Sequence, residues 1–314
     1  MVTTQEFTFP SSDGVHLVGA TWWRDEAERP RAVVQLVHGI SEYIGRYDDF
    51  ARFLVEQGFW VVGHDHLGHG RTAADPSEFG WFANKDGWKY VLKDVKTLRR
   101  LAGEACPDVP YFLLGHSMGS FVVRGYLSAW PGTVDGAILS GTGQEPPVRV
   151  NTGLALSGLL IKTKGPRGHS KLLDDLSVGA YNKQFKPNRT SADWISRDQA
   201  VVDTYCADPL GQFLPTVSMF HEMMLGLNLL ARKSTLARLD PDTPVYFFAG
   251  DKDPVGSCGK GVQKVARWFR EAGVKDVTVK LYPEGRHEML NETNRRQVYE
   301  DVLAWLEGHL QKRT

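Results

Sequence analysis

Residues 113–123 read LLGHSMGSFVV, a histidine and a serine held between two glycines, after one apolar run and before another. Gly115-His116-Ser117-Met118-Gly119 fits the G-x-S-x-G pattern of a serine mounted on a sharp strand-to-helix turn. Such a turn strains the backbone at the serine and crowds its neighbours, so side chains two positions to either side must be absent. It lifts the hydroxyl clear of the sheet and sets it beside a helix N-terminus, where amide N–H groups hold developing negative charge. The bare pattern is weak in a chain with 32 glycines; its place between a strand and a helix gives it weight.

The same rhythm extends in both directions. RAVVQLVHG, FWVVGHDH, YFLLGHS and VDGAILSG read as strands, separated by the helical patterns YDDFARFLVEQG, WKYVLKDVKTLRRLAGEA and SFVVRGYLSA. PVYFFAG and VTVKLYP follow as strands, with KGVQKVARWFREAG and NRRQVYEDVLAWLEGHL as helices. Strands apolar on both faces and separated by helices predict a parallel sheet covered on both sides. EFTFPSSDGVHLVGATWW alternates instead and turns at SSDG, which suits an antiparallel hairpin at one edge. The fold class is therefore α/β: a mostly parallel sheet of eight strands with helices on both faces. From Ser140 to Pro244 the rhythm stops, for longer than any ordinary loop, so this stretch must carry structure of its own. It reads as a helical cap over residues 145–238, inserted between core segments 1–144 and 239–314. Its pieces GLALSGLLI and FHEMMLGLNLLA are apolar enough to line a cavity or simply to pack the cap.

A serine hydroxyl is a poor nucleophile at neutral pH, so it needs a histidine to take its proton and a carboxylate to orient that histidine. Both should follow Ser117 on loops at carboxyl ends of strands. Of the four downstream histidines, His169 and His221 lie in the insertion and His309 in the last helix. His287, in YPEGRHEML after a strand, is the candidate base. GDKDP offers two acids: Asp251 at the strand end suits a turn cap, and Asp253, further out, suits the orienting role. Backbone N–H groups of Met118 and of Ile40, beside Gly39 in LVHGISEYIGRY, are the candidate oxyanion donors. His64, Asp65, His66 and His69 in HDHLGHG invite a zinc reading, but the spacing matches no metal motif, and a hydrogen-bonded loop is favoured.

Composition sets the outer limits. Lys plus Arg balances Asp plus Glu at 37 each with no long run of one sign, so neither nucleic acid nor an anionic bilayer is an expected partner. Cys106, Cys206 and Cys258 are odd in number and far apart, which reads as free thiols, buried as small apolar residues, in a reducing compartment. The opening MVTTQEFTFPSSDG does not resemble a secretory signal, and no apolar run approaches the ~20 residues of a membrane helix, so a cytoplasmic protein is expected.

These motifs together resemble the α/β-hydrolases of the monoglyceride lipase and lysophospholipase group, a serine aminopeptidase S33-like hydrolase domain. HGISEYIGRY is similar to that group's H-G-x-x-E-H-x-x-R-Y, DHLGHGRT to its D-x-x-G-H-G-x-S, and GHSMGS to its G-H-S-M-G-G, while GDKDPV and GRHEMLNE resemble its acid and histidine loops. ADWISRD and DTYCADPL look like caps of its bacterial members. The resemblance implies the α/β-hydrolase fold, a triad of Ser117, Asp253 and His287, oxyanion donors at Ile40 and Met118, and Glu42 and Arg46 near the alcohol side of the site. An ion pair bracing the loop explains Glu42 and Arg46 equally well. Tyr43 replaces a histidine of the pattern, Thr72 a serine and Ser120 a glycine. Leu290 stands where the vertebrate members carry a second histidine near the glycerol group.

The expected activity is hydrolysis of a carboxylic ester through an acyl-serine, with no cofactor and no metal. The expected substrate is a single-chain lipid ester, a monoacylglycerol or lysophospholipid, with its tail beneath the cap and the cap in transient contact with a lipid surface. A short-chain carboxylesterase or thioesterase is the alternative, and from another class a non-catalytic small-molecule receptor. An aminopeptidase would need acidic cap residues, for which Asp174, Asp175 and Asp193 are available.

Overall fold

A computed structural model describes residues 1–24, 29–176 and 178–310. Eight strands form one sheet: β1 (Thr3–Pro10), β2 (His16–Trp23), β3 (Val33–Val37), β4 (Trp60–His64), β5 (Tyr111–His116), β6 (Gly136–Ser140), β7 (Val245–Gly250) and β8 (Val277–Tyr282). Their order is β1-β2-β4-β3-β5-β6-β7-β8. The β1–β2 hairpin is antiparallel and joins β4 antiparallel, whereas β4 through β8 run parallel. The sheet is thus the mixed one that the alternation predicts, with the α/β-hydrolase fold.

Each central strand is buried from end to end, and its pleat divides it between two cores. Val33, Val37, Leu113 and Phe247 face helices α2 (Gly87–Ala105), α3 (Met118–Ala129) and α10 (Lys260–Glu271). Val34, Leu36, Phe112 and Phe248 face α1 (Asp48–Glu56) and α11 (Arg295–Gly308). Burying side chains of this size contributes roughly 1.5–3 kcal/mol apiece, which is why an unbroken apolar run with helices on both sides settles as a covered strand.

Between β6 and β7 the chain forms α4 (Pro147–Lys164), α5 (Lys171–Leu176), α6 (Val178–Tyr181), α7 (Gln199–Ala207), α8 (Val217–Leu230) and α9 (Lys233–Leu236). α4 lies on α8, and the buried face of α8 continues into the core beside α2 and α3. Among the described residues no helix is long and apolar enough to cross a membrane.

The chain runs from β3 out to β4 and then back across to β5, so β3 and β5 are neighbours whose connections leave in opposite directions. A crevice opens at the carboxyl ends of two such strands, and ligands of open α/β sheets bind there. The loops after β3 and β5 carry Gly39-Ile40 and Ser117.

Candidate active site

Ser117 lies between β5 and α3 with φ 53° and ψ −122°, a backbone conformation that L-residues adopt only when the surroundings impose it. The glycines explain how. A Cβ on Gly119 would collide with the carbonyl oxygen of Val37 in β3, and one on Gly115 with the carbonyl of Gly119. Their absence lets α3 press against the sheet, and Ser117 N–H is fixed to the Ser140 carbonyl of β6 at 2.9 Å. Ser120 is not idle: its hydroxyl donates to the Ser117 carbonyl at 2.5 Å. Met118 opens α3, so no carbonyl within the helix can reach its amide.

The loop after β3 comes to the serine from the other side. A Cβ on Gly39 would stand 3.0 Å from Ser117 Cβ and 2.6 Å from Glu42 Oε1, so only glycine allows this approach. Gly39 N–H donates to Glu42 Oε1 at 2.5 Å, and Tyr47 hydroxyl donates to the same oxygen at 2.9 Å. His66 N–H donates to His38 Nε2 at 2.9 Å, which leaves the proton on His38 Nδ1 to donate to the Gly39 carbonyl at 2.7 Å. Burial, with His69 nearby, holds the His38 pKa well below its usual value, in keeping with a neutral ring. The HDHLGHG segment therefore serves the neighbouring loops: Asp65 accepts from the amides of Ile44 and Arg71, and His69 Nδ1 lies 2.9 Å from the Leu67 carbonyl.

His287 and Asp253 meet. Nδ1 of His287 lies 2.9 Å from Asp253 Oδ1, both groups being buried. A carboxylate only accepts, so Nδ1 carries the proton and Nε2 is left as the basic lone pair. Nε2 has no hydrogen-bond partner among the described residues, and the ring lines a cavity that Ser117 also lines. Burial lowers the His287 pKa, but the Asp253 carboxylate and its hydrogen bond more than offset this, and the net shift is upward. Three contacts seat the imidazole. Gly141, at φ 58°, lacks the Cβ that would stand 3.0 Å from the ring; Trp194 packs over it with ring centres 4.9 Å apart; His116 lies 4.6 Å away on another side. Asp251 does something else, accepting the Glu284 N–H at 2.8 Å and closing the turn.

Glu42 is buried and Arg46 half-buried, and of the two only Glu42 lines the smaller cavity. Arg46 donates two hydrogen bonds of 2.7 Å to the two oxygens of Glu288 and a third, at 3.1 Å, to Glu42 Oε2. Glu288 follows His287 directly, so one guanidinium ties the His287 loop to the Gly39 loop. Burial pushes the Glu42 carboxyl up to about 7 with Arg46 opposing and Glu288 assisting, whereas Arg46 overcomes burial at Glu288 and holds it down at about 2. Glu288 and Trp194 stand inside the quoted GRHEML and ADWISRD, yet neither is singled out by residue type or spacing alone. Leu290 packs in the core under α11 and is not among the residues lining the cavity. Tyr43, in place of the histidine, donates to Asp208 of the inserted segment at 2.7 Å, and Ser41 donates to the Phe213 carbonyl at 2.8 Å. Cys106 and Cys206 are half-buried and Cys258 is exposed, which corrects the expectation that all three are buried.

Two cavities share Ile40, Ser117 and Trp194. The larger, about 390 Å³, runs under α4 and α8 between apolar side chains including Phe121, Leu156, Phe220, Met223 and Leu227. The smaller, about 180 Å³, lies on the His287 side and is more polar. Of the three cap acids, Asp193 accepts from the backbone of Arg189 and Thr190, Asp175 pairs with Lys171, and Asp174 lines the smaller cavity.

Comparison with known proteins places this arrangement. The model of the serine aminopeptidase S33 family matches residues 28–294. A monoacylglycerol lipase of Mycolicibacterium smegmatis is 32% identical over 98% of this chain and 99% of its own. The human monoglyceride lipase is 27% identical over 95% of this chain and 92% of its own. Among solved structures, a thermostable carboxyl esterase from Bacillus coagulans in complex with glycerol superposes with a TM-score of 0.90 at 32% identity, covering 98% of this chain and 99% of that one.

Removing the Arg46 guanidinium would leave two buried carboxylates facing each other. Arg46→Met is expected to destabilise the protein by about 3–5 kcal/mol at pH 8, read from urea unfolding; a change below ~1 kcal/mol would show that the ion cluster does not brace the two loops.

Proposed function

The chain belongs to the serine aminopeptidase S33 family of hydrolases, and from that membership and the geometry at Ser117 we propose that it hydrolyses carboxylic esters of single-chain lipids through an acyl-serine. The observation that carries the reading is the fixed Nδ1–H of His287 on Asp253, with Nε2 left unpartnered beside the serine's cavity.

In this scheme Nε2 takes the Ser117 proton as Oγ attacks the ester carbonyl carbon, and the imidazolium formed is stabilised by Asp253. The carbonyl oxygen becomes an oxyanion held by the amides of Met118, at the positive end of α3, and of Ile40. Nε2 then returns the proton to the departing alcohol, leaving the acyl group on Oγ. A water, activated by the same nitrogen, releases the acid and restores the serine.

The two cavities give the ester a direction. The larger one has the apolar walls that an acyl tail needs, and the smaller takes the alcohol. The names of the M. smegmatis and human relatives favour a monoacylglycerol, and the glycerol in the B. coagulans esterase complex agrees with a small polyol as the alcohol. Residues 145–238 act in this proposal as a cap over the tail, and Val148, Leu159 and Leu172, exposed on α4 and α5, as its contact with a lipid surface. A cytoplasmic location belongs to the same proposal, supported by three unpaired cysteines. The aminopeptidase alternative gains little: only Asp174 of the cap acids reaches the cavity.

A fluorophosphonate probe should label the protein and Ser117→Ala should not be labelled; equal labelling of the variant would place the nucleophile elsewhere. Since the neutral imidazole is the active form and its pKa is raised, kcat/KM for p-nitrophenyl octanoate should fall as pH drops, with a midpoint above the ordinary histidine value of ~6.5. A midpoint below that value would mean that Asp253 does not control the base. Flotation with phosphatidylcholine vesicles should carry more wild type than the Val148→Glu, Leu159→Glu double variant, and equal recovery would remove the cap from lipid contact.

A further inference from the structure

The smaller cavity has a feature that neither the triad nor a preference for glycerol requires. Glu42, Asp174 and Glu288 all line it, and among its described lining residues there is no lysine or arginine. The nearest guanidinium, Arg46, is spent on Glu42 and Glu288 behind the wall. Of the two histidines, His116 has its pKa held well below the usual value by burial, with the His287 charge adding to this, and His287 is already faced by Asp253. Two carboxylates therefore share one guanidinium, and above pH ~7, where Glu42 is ionised, a head group placed here meets a net negative wall with no lysine or arginine among the described lining residues. An acidic lining would mean little on a surface. This one lines a cleft of about 180 Å³ that Ser117 also lines, where the buried His287 Nε2 has no hydrogen-bond partner among the described residues.

Resting on the ester-hydrolase reading above, we propose that the alcohol-side cavity selects leaving groups by charge, accepting neutral or cationic alcohols and rejecting anionic ones. A phosphate or sulfonate would enter without a counter-charge and lose its hydration, which charged groups do not do cheaply in a confined site. A quaternary ammonium would meet an attractive field instead. The filter acts on the alcohol alone, because the acyl side presents mostly apolar walls.

The test uses three octanoate esters whose alcohols end in tetrahedral groups of similar size: choline, 3,3-dimethylbutanol and 2-hydroxyethanesulfonate, with charges of plus one, zero and minus one. Each kcat/KM is normalised to the ester's own rate of alkaline hydrolysis, and p-nitrophenyl octanoate is run in the same preparation. The sulfonate ester should fall at least about 10-fold below the neutral isostere, and the choline ester should not fall below it. Asp174→Asn should narrow the sulfonate deficit several-fold, read as the ratio of the sulfonate to the neutral ester's kcat/KM within the variant. A sulfonate ester cleaved as fast as the neutral one overturns the filter, and a deficit unmoved in Asp174→Asn removes Asp174 from it. Loss of all turnover, p-nitrophenyl ester included, would instead sink the ester-hydrolase reading on which the filter stands.

Discussion

Two missing side chains set how closely α3 and the loop after β3 approach at Ser117. With hydrogen in place of Cβ at Gly115 and Gly119, α3 closes onto β5 and onto the Val37 carbonyl of β3, nearer than any other residue permits. That approach forces Ser117 to φ 53°, and the cost, of order 1–3 kcal/mol for such a conformation, is carried by the packing on both faces of the sheet. Because β3 is the next strand over, the same closure brings Gly39 against the serine. The proposed nucleophile and oxyanion loop are thus positioned by backbone contact, which has no rotamers to lose.

The base loop is joined to this frame by polar contacts. Gly250, at the end of β7, sits so close to Gly285 that the acid and histidine loops form one unit, with Lys252 N–H on the Gly285 carbonyl at 2.9 Å. Arg46 connects that unit to the Gly39 loop through Glu288 and Glu42. The inserted segment is fastened to both: Tyr43 and Ser41 hold its 208–213 stretch, and the Glu288 N–H donates to the Ile195 carbonyl at 2.7 Å. A displacement of the inserted segment would act on the loops around Ser117 and His287, to which these contacts fasten it.

Strands and core helices were legible because burial imprints a period on the chain; β5 and β7 are buried at every position and read as unbroken apolar runs. The turn at Ser117 was legible because sterics demand glycines at fixed offsets. Asp253 is separable from Asp251 by distance along the loop: Asp253 lies 2.9 Å from His287 Nδ1, and Asp251 accepts the Glu284 N–H. Glu288 left no such mark: its importance comes from a guanidinium 242 positions away, and pairing between remote segments has no periodicity. Leu290 shows the converse. It stands at a position where the family resemblance points to the glycerol group, yet its side chain packs in the core, and Glu288 is among the residues that line the cavity.

The carboxylates that would exclude an anion also bear on the chemistry. The reaction proposed here passes through an imidazolium at His287, and Glu288 and Glu42 are among the groups that raise its pKa. The same charges therefore favour the cationic base and disfavour a negative head group, so the two properties are coupled through one set of side chains. Removing those charges to admit a phosphate would also lower the basicity of the imidazole. In a cleft lined by these carboxylates the sign of charge that assists the proposed proton transfer also restricts the alcohol that can leave.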